Sequence, residues 1–268
     1  MNPMDINNLN KLAEEVYDQI IKEKGSTDSI QANVSKGLGV RDSNDNYDKS
    51  LASKMEHSMI IPSATPAMVK QFCNEAIRYG FRNVSLAPCF VSMAYSLLRG
   101  TGVNVSTAVA FPMGIATKEM KVAETLEVIR NGAVEIDLPI NIGMVKAGEF
   151  GSIRDDIQAV VSASNKRALI KAVIDLGALS EEECIKVAQC AKSAGADFLK
   201  VAATTRPIGV NADDMRFFRG VVGDGMGLKA DGGIRDYKTA LAVIESGGTT
   251  IGASSSVKIV TTCPDTLK

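Results

Sequence analysis

The chain has 268 residues, 45% of them apolar, and a formal net charge of −1. That length suits one large domain or two small ones, and the near-neutral charge gives no basic field for nucleic acid or an anionic membrane surface. Five cysteines without CxxC spacing and a single histidine, His57, argue against a metal centre and read as reduced thiols, and no secretory leader or membrane-length apolar run is present, so a soluble cytoplasmic protein is expected.

Residues 1–48 stand apart from the rest. Ile6, Leu9, Leu12, Ala13, Val16, Ile20 and Ile21 recur at helical spacing, predicting an amphipathic helix of about four turns. Gly25-Ser26 ends it, and a stretch rich in Ser, Asn, Asp and Gly follows as a linker. Over 49–268 a β/α rhythm sets in. Strands are expected at 83–87, 103–111, 133–140, 168–176, 197–203, 227–230 and 250–253, after a short first one near 59–61. The helices between them have legible ends. Thr65-Pro66 places a cap before a proline at the first helical position. Thr117 opens a helix with Val122, Leu126 and Ile129 on one face, closed by Asn131-Gly132. Ser180 and Glu183 form a capping box for a helix ending at Gly195, and Asp236 caps the helix before the last strand. Eight strands alternating with helices favour a (β/α)₈ barrel carrying an N-terminal helical extension. The rival, an open doubly wound sheet, lacks a G-x-G-x-x-G after its first strand.

Two lysines mark the chemistry. Lys200 ends the apolar run Asp197-Phe-Leu-Lys200, and Lys229 stands in Gly227-Leu-Lys-Ala-Asp-Gly-Gly-Ile-Arg235. A buried ammonium is costly, and two on successive strands are expected to depress each other's pKa, as an amine nucleophile requires. Asp137, in Val134-Glu-Ile-Asp-Leu-Pro-Ile140, shares a strand face with Glu135 and is placed to hold the ammonium groups and relay protons. A structural ion pair with one lysine is its plainer reading. Lys171 reads as part of a polar network lining the barrel, and His57 as a hydrogen-bonded structural residue. Gly232, Gly233 and Arg235 lead into one helix, and Gly252, Ser254 and Ser255 follow the last strand. Barrels commonly bind phosphate in the loops after strands seven and eight, where glycine backbones and helix N-termini suit an anion.

Taken together, Ala110-Phe-Pro-Met-Gly114, Asn131-Gly-Ala-Val-Glu-Ile-Asp137 with Ile140-Asn-Ile-Gly143, Ala194-Gly-Ala-Asp-Phe-Leu-Lys200, Leu228-Lys-Ala-Asp-Gly-Gly-Ile-Arg235 and Ile251-Gly-Ala-Ser-Ser255 resemble the deoxyribose-phosphate aldolase family over residues 51–260. The resemblance implies a class I aldolase in which Lys200 forms the Schiff base, Lys229 lowers its pKa and Asp137 assists proton transfer. It implies that the glycines and serines of the last two loops hold a sugar phosphate, with no metal or organic cofactor. Two segments depart from the family pattern. Val201-Ala-Ala-Thr204 replaces Thr-Ser-Thr-Gly after the nucleophile, and Glu56-His57-Ser58 with Ile61 replaces Asp-His-Thr and a nearby lysine. The default reaction is cleavage of 2-deoxy-D-ribose 5-phosphate to glyceraldehyde 3-phosphate and acetaldehyde. Its rivals are the same imine chemistry on another phosphorylated aldose or ketose, and a catalytically silent scaffold. A homo-oligomer, a dimer, is expected. Residues 1–24 have two readings: a helix packed on the barrel or a subunit interface, or a docking peptide resembling those that direct enzymes to shell proteins of bacterial microcompartments.

Overall fold

The computed structural model describes residues 46–264; the helix predicted over 1–24 lies outside the described residues. Eight parallel strands close into a barrel in chain order: β1 (Met55–Met59), β2 (Asn83–Leu86), β3 (Asn104–Ala108), β4 (Glu135–Pro139), β5 (Leu169–Asp175), β6 (Phe198–Ala202), β7 (Gly227–Asp231) and β8 (Thr250–Ala253). Closure is made by β8 pairing with β1, Glu56 opposite Gly252. Outside the barrel lie α1 (Lys49–Ala52), α2 (Pro66–Tyr79), α3 (Val91–Leu98), α4 (Lys118–Arg130), α5 (Ile142–Lys146), α6 (Phe150–Ser164), α7 (Glu181–Ser193), α8 (Ala212–Val222), α9 (Tyr237–Glu245) and α10 (Ser256–Thr261). Among the described residues, no helix is long and apolar enough to cross a membrane.

The anticipated caps are present. Thr65 accepts from the Met68 amide, Thr117 from Met120 and Asp236 from Thr239, and Ser180 and Glu183 make a reciprocal box. Two expectations shift. β1 runs over Met55–Met59 rather than 59–61, because its interior residues Glu56 and His57 are polar and yet fully buried. In α4 the fully buried positions are Lys121, Thr125 and Val128, one residue out of phase with the expected face. Lys121 is held there by a 2.5 Å ion pair with Asp156 of α6.

Alternation along the strands separates two interiors. One face of each strand packs beneath the helices and is apolar: Ile136 and Leu138 on β4, Ile170 and Ile174 on β5, Leu199 and Val201 on β6, Leu228 and Ala230 on β7. The other faces the barrel axis and is polar, with Glu56, Asn83, Ser106, Glu135, Asp137, Lys171, Lys200, Lys229 and Thr250 all buried. At one end Phe198 fills the axis. Its ring lies where a Cβ on the neighbouring Gly227 would come within 2.3 Å. The opposite, C-terminal end of the strands is open. His57 points outward, stacked on Phe72 at 4.0 Å between centroids and paired through Nε2 with Glu75 at 2.9 Å, so it is structural.

Gly114, in the loop after β3, has φ +67, and a Cβ there would lie 2.3 Å from the Pro139 carbonyl oxygen. Gly148 has φ +76 but open space around it. Gly148→Ala should therefore cost only the left-handed backbone penalty, about 1 kcal/mol, whereas Gly114→Ala should cost about 3 kcal/mol or more by forcing β4 away. Urea unfolding of both variants reads the difference; equal losses would mean that the β3 loop does not bear on β4 in this way.

Candidate active site

The polar axis of the barrel is ordered as one alternating run of charges. Arg82, just before β2, pairs with Glu135 at 2.5 Å, and Glu135 with Lys171 at 2.5 Å. Lys171 meets Glu56 at 2.5 Å, and Glu56 meets Lys229 at 2.6 Å. Lys229 donates to Asp137 Oδ2 at 2.9 Å, and the same oxygen accepts from Lys200 at 2.8 Å. Lys200 then pairs with Asp231 at 2.7 Å. Four cations thus alternate with four carboxylates, and the run is neutral as a whole. The terminal groups keep contact with solvent, 29% of the Arg82 side chain and 26% of Asp231 being exposed, while those between are 9% exposed or less.

Each strand contributes for a definite reason. Glu135, Asp137 and Pro139 of β4 share one face, so two carboxylates of one strand serve different depths of the axis. Lys200 and Lys229 are direct partners in the β6–β7 register, which brings both amines to Asp137. Asp231 follows Lys229 by two residues and shares its face. Gly252, on β8, is the residue that makes room: a Cβ there would lie 2.6 Å from Asp231 Oδ2 and 3.0 Å from Lys229 Cε.

The electrostatics follow from this order. Burial disfavours the Asp137 carboxylate, but Lys200, Lys229 and Lys171 outweigh burial and hold it far below the usual carboxylate range. Burial likewise opposes Glu56, and the Lys171 and Lys229 ammonium groups override it, bringing it down to about 2. The two amines behave differently from the sequence expectation. Burial and the neighbouring Lys229 do pull Lys200 down, yet Asp137 and Asp231 more than reverse this and hold its ammonium above the ordinary lysine value. Lys229 is raised as well, burial being outweighed by Asp137, Glu56 and Asp231. Mutual depression of the two ammonium groups is therefore not the net state of this site, because the carboxylates interleave them.

Above the run, a cavity of about 1110 Å³ opens at the C-terminal ends of the strands. Lys200, Asp137 and Asp231 line its floor, whereas Lys171 and Lys229 are fully buried beneath. Gly232, Gly233, Arg235, Gly252, Ser254 and Ser255 line the wall formed by the loops after β7 and β8, together with Lys258 of α10. Ile61, Met68, Phe111, Met113 and Ile115 add an apolar wall. The loop after β6 packs on the β7 loop, where a Cβ on Gly233 would lie 2.4 Å from Gly209 Cα, and Arg206 pins it through Asp214 and the Gly209 carbonyl. Eight of the nine sequence-nominated residues thus line one cavity, and the ninth, Lys229, is buried beneath its floor. Sequence reasoning missed Glu56, Asp231, Asp175 and Lys258. Asp231 had a usable signal, its two-residue spacing from Lys229.

Because Glu56 is held at about 2 in the fold against 4.5 in the free side chain, its contribution to stability is complete above pH 4.5 and is lost as pH falls toward 2. The difference is on the order of 3 kcal/mol. Unfolding free energies at pH 6 and pH 3 should diverge by less in Glu56→Gln than in the natural protein, although Glu56→Gln is less stable at both. An equal divergence would show that Glu56 does not titrate with the fold.

The family model described as DeoC/LacD family aldolase matches residues 48–260. A deoxyribose-phosphate aldolase of Caldanaerobacter subterraneus subsp. tengcongensis is 43% identical over 212 residues, covering 78% of this chain and 92% of that protein. One from Alkaliphilus oremlandii is 45% identical over 210 residues, covering 78% and 95%. Among solved structures, a tetrameric deoxyribose-phosphate aldolase from Aeropyrum pernix superposes with a TM-score of 0.73 at 27% identity, covering 79% of this chain and 89% of that one. With the barrel, the buried lysines and these matches in agreement, the chain belongs to the DeoC/LacD family of aldolases.

Proposed function

We propose that this carbon–carbon lyase works through a Schiff base on Lys200, with 2-deoxy-D-ribose 5-phosphate as substrate and glyceraldehyde 3-phosphate and acetaldehyde as products. The observation that carries the reading is positional: of the three lysines buried on the strands, Lys200 borders the cavity, while Lys171 and Lys229 are sealed below it. Once Lys200 has formed an iminium with C1 of the sugar, that cation is the electron sink for cleavage. A base removes the proton from the C3 hydroxyl, the C2–C3 bond breaks, its electrons enter the iminium as an enamine, and the phosphorylated aldehyde departs. Protonation at C2 and hydrolysis then release acetaldehyde and free Lys200. Asp137 is assigned this proton transfer, since it lines the cavity and its Oδ2 lies 2.8 Å from the Lys200 amine. Lys229 anchors Asp137 and opposes the charge on Lys200. The scheme calls for no metal or organic cofactor, the iminium being the electrophile.

Gly232, Gly233, Arg235, Gly252, Ser254 and Ser255 are assigned to the phosphate, and Lys258 adds a cation on the same wall. Borohydride added with 2-deoxy-D-ribose 5-phosphate should leave a reduced adduct on the Lys200 peptide, and Lys200→Ala should abolish it. Unphosphorylated deoxyribose should label far less, and Ser254→Asp should raise KM for the phosphorylated sugar selectively. A label on Lys229 or Lys171, or equal handling of the two sugars, would refute these assignments. A panel of aldose and ketose phosphates in the same assay tests the second reading, a different sugar, which the hydroxyl-free run Val201-Ala-Ala203 favours.

For residues 1–24 the first reading is a helix packed on the barrel or at a subunit interface, and the second is a docking peptide for a microcompartment shell, within a two-part chain of helix and linker (1–48) and barrel (49–268) that acts as a cytoplasmic homodimer. The apolar stripe from Ile6 to Ile21 needs a partner under either reading. Under the docking reading, deleting residues 1–45 should leave activity, thermal stability and the dimer mass by light scattering unchanged, and residues 1–26 fused to a fluorescent protein should co-localise with shell proteins. Loss of folding or of the dimer on deletion would favour the packed-helix reading instead.

A further inference from the structure

Lys200 has two carboxylate partners, and they are not equivalent. Asp137 is 1% exposed, and its Oδ2 is shared between Lys200 and Lys229. Its charge is committed to holding the run of ions together. Asp231 is 26% exposed, borders the cavity, and has Lys200 as its side-chain partner among the described residues, at 2.7 Å. The space it occupies is provided by the missing side chain of Gly252. Asp231 therefore meets the reacting nitrogen from the side at which a carbonyl substrate arrives.

Amine attack has a proton requirement that Asp137 is badly placed to meet. Before substrate binds, Asp137 and Asp231 favour the ammonium form of Lys200, which has no lone pair for attack. Turning the carbonyl oxygen into a leaving water then needs two protons at that oxygen. Resting on the Schiff-base reading above, we propose that Asp231 is a catalytic acid–base of imine formation, moving two of the three Lys200 ammonium protons to the substrate carbonyl oxygen.

The steps balance. The Asp231 carboxylate takes a proton from the ammonium, and the freed lone pair forms the C–N bond while the C=O π electrons move to oxygen. Asp231 gives its proton to that oxygen, then takes a second from nitrogen and delivers it to the resulting hydroxyl. The C–O bond breaks with its electrons on the departing water, and the nitrogen lone pair closes the C=N bond. Asp231 ends as a carboxylate beside the iminium. Asp137 keeps its charge and both lysine partners through these steps and takes a proton only in the C–C step, so the two acids divide the reaction between them.

The test is rapid-quench trapping of the full-length protein with 2-deoxy-D-ribose 5-phosphate and borohydride, read as the rate of adduct appearance on Lys200. Asp231→Asn should slow that rate by about 100-fold, the scale of general acid–base catalysis. A carboxylate that merely pairs with Lys200 gives the opposite sign: its removal loosens the hold on the proton and leaves imine formation as fast or faster. In Asp231→Ala, added formate should restore part of the rate by occupying the space of the lost carboxylate. An undiminished rate in Asp231→Asn, or no response to formate in Asp231→Ala, overturns the proposal. If the natural protein itself forms no adduct, the Schiff-base reading fails, and that result is distinct from a defect confined to the Asp231 variants.

Discussion

The structure depends on one interaction, the alternating run of four cations and four carboxylates along the barrel axis. Each of these groups would be expensive to bury alone, and breaking a buried pair typically costs about 3–5 kcal/mol because the remaining charge has no partner. Here each inner member touches opposite charges on both sides, from Arg82 to Asp231, at 2.5–2.9 Å. The pattern fixes the inward residues of five strands. β1 must offer Glu56, β4 both Glu135 and Asp137, β5 Lys171, β6 Lys200, and β7 Lys229 with Asp231. Apolar stabilisation is consequently displaced to the outer layer, where Ile136, Ile170, Leu199 and Leu228 pack beneath the helices.

The run also leaves one lysine at the cavity and seals its neighbours beneath it. Lys171 and Lys229 are pinned by carboxylates that are themselves buried, so neither has a face toward the cavity. Lys200 is the last cation before the mouth. One of its partners, Asp137, belongs to the buried run, while the other, Asp231, is partly solvated. A nucleophile has to release a proton on demand, and it can do so only where a partner can accept one without leaving an unpaired charge in the interior.

Much of this was legible in the sequence, and the gaps have physical causes. Lysines within apolar strand runs announced the site because burial makes them conspicuous, and the caps at Thr65, Thr117, Ser180 and Asp236 follow from local chemistry alone. Glu56 was hidden for the converse reason. Its strand, Met55-Glu-His-Ser-Met59, is polar at its centre, so a search for apolar runs slides toward residues 59–61. Its value lies in partners 115 and 173 residues away, Lys171 and Lys229, which no local pattern discloses. Lys121 misled the reading of α4 similarly, since its burial rests on Asp156 of another helix. Asp231 was recoverable from strand alternation, but the Gly232-Gly233 pair after it draws attention as a phosphate loop and makes the acid look like part of a turn.

That adjacency places a constraint on the site. Asp231 directly precedes the glycines assigned to phosphate, and an unbalanced carboxylate there would repel the anion the loop is meant to hold. Lys200 supplies the balance at 2.7 Å. Across imine formation this balance survives, because an iminium carries the same positive charge at the same nitrogen as the ammonium it replaces. The alternation from Arg82 to Asp231 is then unchanged before and after the covalent bond forms, and the surrounding dipoles need not reorganise as the intermediate appears. A nucleophile that lost its charge on bonding would leave Asp137 and Asp231 facing each other without a cation between them. The iminium avoids that cost, and when the neutral enamine follows, the proton that Asp137 takes from the C3 hydroxyl removes one of the two facing charges, which makes a lysine a fitting nucleophile for an axis built from interleaved charges.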